Sequence, residues 1–78
     1  MTEVVLPELG EGVTESVVSF WHYTEGEQVE EGHDLVEMVT DKATFNVPVP
    51  ASGTLKKIYA EEGQTIKVGE VMATIQES

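Results

Sequence analysis

The 78-residue sequence contains no cysteine and no arginine, and helix signals are nearly absent from it. Without cysteine there is no disulfide framework, no thiolate metal site and no cysteine nucleophile, so packing and strand pairing alone must hold the fold. The same absence fits a reducing compartment. Positive charge is scarce: Lys42, Lys56, Lys57 and Lys67 are the only cations against 15 Asp and Glu, a formal net charge of −11. Nucleic acid and anionic membrane both call for a basic patch and are disfavoured as partners. The acidity favours solubility and a monomer, through repulsion between copies, and steers the chain toward basic surfaces. No apolar run approaches the roughly 20 residues that span a bilayer, and Met1-Thr2-Glu3 does not open a signal peptide. A chain of this length forms one domain, residues 1–78, with a thin core and no room for a deep catalytic cleft.

What is present is a β pattern. Val, Ile, Thr and Tyr fill short stretches between recurring Gly and Pro, as in many short strands joined by tight turns. Strands are expected at Thr2–Leu6, Ser16–Tyr23, Gln28–Val29, Asp34–Thr40, Thr44–Pro48, Gly53–Tyr59, Thr65–Ile66 and Glu70–Gln76. Pro7, Pro48 and Pro50 belong at strand ends or edges, because proline cannot donate to a ladder.

The chain also resembles itself. An offset of 37 positions lays Glu25-Gly26 on Glu62-Gly63, Val29 on Ile66, Gly32 on Gly69, Leu35 on Met72 and Met38 on Ile75. It also lays Val18 on Leu55 and Trp21 on Ile58. Two copies of one β unit are too few for a solenoid, but two half-sheets can bury each other's apolar faces. The expected architecture is an all-β, flattened sandwich or barrel of two quasi-symmetric four-stranded sheets, a barrel-sandwich hybrid. The spacing of three from Val18 to Trp21 and from Leu55 to Ile58 breaks strand alternation. A bulge in each strand would point both members of each pair inward. Phe20, Trp21, Tyr23 and Phe45 are expected as core or half-buried packing. His22 and His33 are isolated, with no partner at a suggestive spacing, and belong on the surface.

The two copies join at Val39-Thr40-Asp41-Lys42-Ala43-Thr44, where strand formers flank a short polar centre. This reads as a tight hairpin turn, although it lacks the Asn-Gly or Asp-Gly pair that favours one. Lys42 at its tip would be highly exposed, and its primary amine is the group needed for an amide bond to a carboxylic acid cofactor. By symmetry the chain termini should lie at the opposite end. A lone surface lysine beside an aspartate is ordinarily a solvated charge pair. Lys42 differs in being the only lysine in the first 55 residues and in standing at the boundary of a duplication.

At these residues the sequence resembles a lipoyl domain of a dihydrolipoyl acyltransferase, the E2 component of the 2-oxo acid dehydrogenase complexes. Leu6-Pro7-Glu8-Leu9-Gly10-Glu11-Gly12-Val13 is similar to the family's P-x-L-G-E-G stretch, and Trp21 with Glu25-Gly26-Glu27-Gln28-Val29 to its tryptophan and G-D/E-x-V stretch. Asp41-Lys42-Ala43 matches the lipoylation motif D-K-A, and Gly53 and Glu62-Gly63 through Ile66, Val68 and Gly69 match its second half. The chain departs from relatives in having Val39 where an acidic residue often precedes T-D-K, and Glu27 where Asp is usual. The resemblance implies lipoic acid in amide linkage on Lys42, with Asp41 and Ala43 helping a lipoate ligase or lipoyl transferase to place the lysine. It implies further partners in an E1 decarboxylase, the E2 acyltransferase core and the E3 dihydrolipoyl dehydrogenase, with Glu11 and Glu15 as candidates for E1 recognition. No catalytic or metal-ligating residue is expected; the chain would carry substrate for other active sites. It looks like a module from a longer protein, ending where a linker would begin.

Alternatives remain open at this point. A biotinyl carrier domain of a biotin-dependent carboxylase shares the hairpin logic, but its lysine normally stands between methionines. Here the flanks are Asp41 and Ala43, and Met38 is four residues away. A glycine-cleavage H protein would be longer, and an unmodified hairpin domain of a transport adaptor would not require D-K-A.

Overall fold

Short β-branched runs punctuated by turns leave the chain one way to satisfy its backbone, by pairing strands. The structure is a computed structural model that describes residues 1–10 and 12–77. It contains β1 (Thr2–Val5), β2 (Glu15–Trp21), β3 (Gln28–Val29), β4 (Asp34–Val39), β5 (Thr44–Pro48), β6 (Gly53–Ile58), β7 (Thr65–Lys67) and β8 (Val71–Glu77). These are the eight expected strands, shifted by a residue or so at some ends. They form two antiparallel four-stranded sheets, ordered β1-β8-β6-β3 and β5-β4-β2-β7. Replacing each strand by its counterpart in the other copy turns one order into the other, so the repeat is a symmetry of the fold. Pro48 closes the edge strand β5, and Pro7 and Pro50 lie outside strands. Among the described residues no helix is long and apolar enough to cross a membrane.

The expected bulges are present at matching places. The β2–β4 register slips between Val18 and Phe20, and the β6–β8 register slips between Leu55 and Lys57. Ser19 and Lys56 are the extra residues, 37 positions apart. A second matched pair of slips leaves Leu35 and Met72 as the extra residues in β4 and β8. Val18, Leu35 and Met38 pack in one core with Leu55, Met72 and Ile75, each 1% exposed or less. This core is the principal stabilising element in a domain without cross-links.

Each copy also reaches across to the other. The turns at Gly26 and Gly63 need the left-handed backbone that glycine adopts without strain, at φ 93° and 88°. Their amides donate to the carbonyls of Leu55 and Val18, both at 2.7 Å. The preceding carboxylates complete the exchange: Glu25 Oε2 accepts the Ile58 amide at 2.8 Å, and Glu62 Oε2 accepts the Trp21 amide at 3.3 Å. Each bulged strand thus presents backbone donors that the opposite copy satisfies.

The aromatic residues correct one expectation. Trp21, Tyr23, Phe45 and Ile58 are half-buried and pack against the core's margin, whereas Phe20 is 40% exposed. The bulge at Ser19 keeps Val18 and Trp21 facing inward and turns Phe20 outward, where its ring meets that of exposed His22 edge-on with centroids 4.8 Å apart. Trp21 instead uses its polar atom: the indole Nε1–H donates to the carbonyl of buried Ala60 at 2.8 Å. Trp21→Phe keeps most of the ring but leaves that carbonyl unpaired. It should cost about 1 kcal/mol and lower the Tm by about 4–8 °C for a domain of this size. A thermal melt followed by circular dichroism checks it; an unchanged Tm would mean that the bond contributes nothing.

Strand directions place the two ends of the body. β2 starts beside the β4–β5 turn, with Val17 opposite Val39, and β6 starts beside the C-terminal strand end, with Gly53 opposite Glu77. The two strands run inward and their far ends meet where Trp21 bonds Ala60. The β4–β5 turn therefore caps one end of the body, whose extents are 36 × 20 × 18 Å, and the paired termini in β1 and β8 sit at the other.

Candidate functional site

A two-residue connection between antiparallel strands normally uses a turn with positive φ at one or both central residues, which is why Asn-Gly and Gly-Gly are favoured there. The β4–β5 turn has Asp41 and Lys42 at its centre, and among the described residues none but glycine has positive φ. Hairpin turns of types I′ and II′ are thereby excluded. Closure is achieved with a side chain. The Thr40 amide donates to the Ala43 carbonyl at 2.8 Å, and the Ala43 amide donates to Thr40 Oγ1 at 3.1 Å. The same hydroxyl donates to the Ala43 carbonyl at 3.1 Å and receives a longer contact from the Lys42 amide at 3.4 Å. A hydroxyl can do both, with one proton and two lone pairs.

Asp41, Lys42 and Ala43 are all exposed at this apex. Among the described residues Lys42 forms no ion pair; the one such contact joins His33 to Glu30 at 3.5 Å. Exposure does not distinguish Lys42, since Lys56, Lys57 and Lys67 are exposed as well. Those three project from the ladder strands β6 and β7, whereas Lys42 alone leaves from a turn. No cluster of three His, Asp or Glu side chains suited to a metal occurs among the described residues.

Described residues of the β1–β2 connection share two hollows with the turn. Val13, Thr14 and Glu15 line an open groove with Val39, Thr40 and Asp41. A second hollow, more apolar, lies between Pro7, Leu9 and Val13 on one wall and Ala43 and Phe45 on the other. The Val68 amide, donating to the Thr14 carbonyl at 2.9 Å, and the packing of Leu9 against the core hold this connection in place. Glu15 is thus at the rim of the Lys42 end, exposed at the start of β2. Glu11, the other carboxylate expected to face E1, lies outside the described residues.

Two residues beside the site are not singled out by the sequence pattern. One is Thr40, whose hydroxyl organises the turn. The other is Ser16, 2% exposed and the only buried polar side chain among the described residues. Its Oγ donates to the Val39 carbonyl at 2.9 Å, immediately before the turn. The signal for Ser16 is present in the repeat: it stands where the second copy has Gly53.

The chain matches the biotin/lipoyl family, described as biotin-requiring enzyme, over residues 2–75. It is 43% identical over 74 residues to the dihydrolipoyllysine-residue acetyltransferase component of the pyruvate dehydrogenase complex of Corynebacterium glutamicum, covering 95% of this chain and 11% of that protein. It is 36% identical over 77 residues to the dihydrolipoyllysine-residue succinyltransferase component of the 2-oxoglutarate dehydrogenase complex of Bacillus subtilis, covering 99% and 18%. It is 38% identical over 74 residues to the lipoamide acyltransferase component of the branched-chain alpha-keto acid dehydrogenase complex of Bacillus subtilis, covering 95% and 18%. The solution structure of the lipoyl domain of the 2-oxoglutarate dehydrogenase complex from Azotobacter vinelandii superposes with a TM-score of 0.78 at 29% identity, covering 96% of this chain and 95% of that one.

The chain belongs to the biotin/lipoyl family, and within it is a lipoyl domain of the kind carried by the E2 acyltransferase components of 2-oxo acid dehydrogenase complexes. It spans 11% to 18% of the length of these curated relatives.

Proposed function

We propose that Lys42 carries lipoate in amide linkage and that the domain serves as the mobile substrate carrier of a 2-oxo acid dehydrogenase complex, without catalytic residues of its own. The observation that supports this most directly is the position of Lys42: an exposed amine at the apex of a turn, at the end of the body remote from the termini. A tether attached at the termini leaves that end free to enter clefts in several partners. With the carboxyl of lipoate activated by ATP as an acyl-adenylate, Nζ bonds to its carbonyl carbon as AMP and a proton leave; the amide removes the lysine's charge and leaves Asp41 as the charged group of the turn. When bound, lipoate supplies redox-active, acyl-carrying chemistry, exercised in turn at an E1 decarboxylase, at the E2 core with coenzyme A, and at the E3 dihydrolipoyl dehydrogenase. The chain's own contribution is position: tethering replaces bimolecular encounter by local concentrations of roughly millimolar order.

The lysine's neighbours favour lipoate over biotin. Asp41 and Ala43 stand where a biotinyl domain has methionines, and Met38 is fully buried in the core and cannot reach the turn's surface. A lipoate ligase or lipoyl transferase would meet the turn first, with Asp41 and Ala43 flanking the amine. Glu15, and Glu11 near it in sequence, would offer carboxylates to E1, and the net charge of −11 would draw the domain toward basic partner surfaces. The named relatives are bacterial, which supports the cytoplasm as the compartment.

Incubating the chain with lipoate, ATP and a lipoate ligase should add one lipoyl mass. Peptide mapping should place it on Lys42, with Lys56, Lys57 and Lys67 unmodified. Label on any of those three would overturn the assignment, and biotin uptake at Lys42 from a biotin ligase in preference to lipoate would support the alternative. Presenting the lipoylated domain to E1 enzymes specific for pyruvate, 2-oxoglutarate and branched-chain oxo acids then reads the substrate, since the relatives divide among all three.

A further inference from the structure

We propose that Thr40, with Ser16 behind it, is a positioning residue: its hydroxyl replaces the backbone bond that a glycine-containing hairpin turn would make, and so fixes the direction in which Lys42 leaves the fold. The proposal rests on the reading of Lys42 as the attachment point. With Asp41 and Lys42 both at negative φ, the turn's twist does not match that of the flanking strands, and the strand ends tend to splay. No backbone bond returns from the Ala43 amide to the Thr40 carbonyl; Thr40 Oγ1 takes that amide at 3.1 Å and gives its own proton to the Ala43 carbonyl at 3.1 Å. One side chain therefore closes both sides of the two-residue loop that carries the lysine.

The duplication supplies independent support. Ser16 and Val39 in the first copy correspond to Gly53 and Gln76 in the second. In the second copy the strands are so close that a Cβ at Gly53 would run into the Gln76 carbonyl. In the first copy the strands leave room for a serine, whose Oγ donates to the Val39 carbonyl at 2.9 Å. A hydroxyl tie has been introduced only at the end of β4 that leads into the Lys42 turn. Ser16 anchors the base of the hairpin and Thr40 locks its tip. Neither touches the cofactor; both act through the backbone on either side of Lys42.

Thr40→Val keeps the branched shape and removes the hydroxyl, and Thr40→Ser keeps the hydroxyl. Removing the hydroxyl deletes both bonds it makes; at roughly tenfold each in the closed-to-open ratio, a loop closed about ten to one in the parent is left with about a tenth of molecules closed. A ligase that accepts only the closed loop would then show a KM raised about tenfold with kcat unchanged, because the competent fraction scales apparent affinity. Amide exchange at Ala43, read by NMR, should quicken by a similar factor in Thr40→Val. Thr40→Ser should restore both. Assays at 25 °C alongside urea denaturation separate this from a loss of fold. Parent-like KM and Ala43 exchange in a folded Thr40→Val would overturn the positioning role while leaving attachment at Lys42 intact. A parent domain that takes no label on Lys42 would instead overturn the attachment reading, and this inference with it.

Discussion

Exchanging Asp41 and Lys42, so that lysine stands one place earlier, should reduce lipoylation by about a hundredfold or more while leaving the fold unchanged. Composition, net charge and exposure are identical in the two proteins, since both positions are exposed and both lie outside the ladder that pairs Val39 with Thr44. The bonds that close the turn run from Thr40 Oγ1 to the backbone of Lys42 and Ala43, so they do not depend on which side chain occupies which central position. What changes is direction. Adjacent residues in a two-residue turn project differently, and a misplacement of the reacting atom by about 1 Å can cost about 100-fold in rate. Intact-mass measurement of the ligase reaction, with circular dichroism to confirm the fold, checks the result. Equal labelling of the transposed lysine would show that the ligase reads exposure alone.

The position of that lysine is legible in the sequence because the duplication has a boundary, and Lys42 stands on it. The 37-residue offset carries more than topology. It places paired bulges at Val18 and Leu55, because two inward residues three apart in a strand require an extra residue between them. The depth of burial is less legible. Trp21 and Ile58 match across the copies and pack against the core, yet each ends its strand at the core's margin and is only half-buried. Phe20 defeats the sequence pattern because hydrophobicity argues for burial, while the bulge beside it decides direction.

Turn chemistry is the least legible part. Thr40 reads as an ordinary strand-forming residue, and only coordinates reveal a hydroxyl that serves as donor and acceptor at once. Ser16 carries a signal, a polar residue at the place of a glycine in the repeat, but a serine near the start of a strand is ordinarily solvated. Both residues are devices by which one copy departs from the other. Symmetry arguments are blind to such departures, and here they gather at the Lys42 end.

Leu55→Ala should bring the domain close to unfolding, and lipoylation should fall with the folded fraction. Leu55 is fully buried, shares the core with its counterpart Val18, and bonds the opposite copy through its amide to Glu27 at 2.9 Å and through its carbonyl to Gly26 at 2.7 Å. Truncation of a leucine in such a site costs about 3–5 kcal/mol, of which part is the cavity left behind. A domain this small has roughly 5 kcal/mol to lose and no disulfide in reserve. Ile58→Ala, at the half-buried margin, should cost about half as much and leave the domain folded at 25 °C. The pair therefore forms a graded series at constant turn sequence, since both variants keep Thr40-Asp41-Lys42-Ala43. Urea denaturation gives the stabilities and the ligase assay gives the rates. If Ile58→Ala is as damaging as Leu55→Ala, the thinning of the core toward its margin is wrong. If Leu55→Ala unfolds and is still labelled at the parent rate, the ligase reads the turn as a linear sequence. The fold would then matter only after attachment.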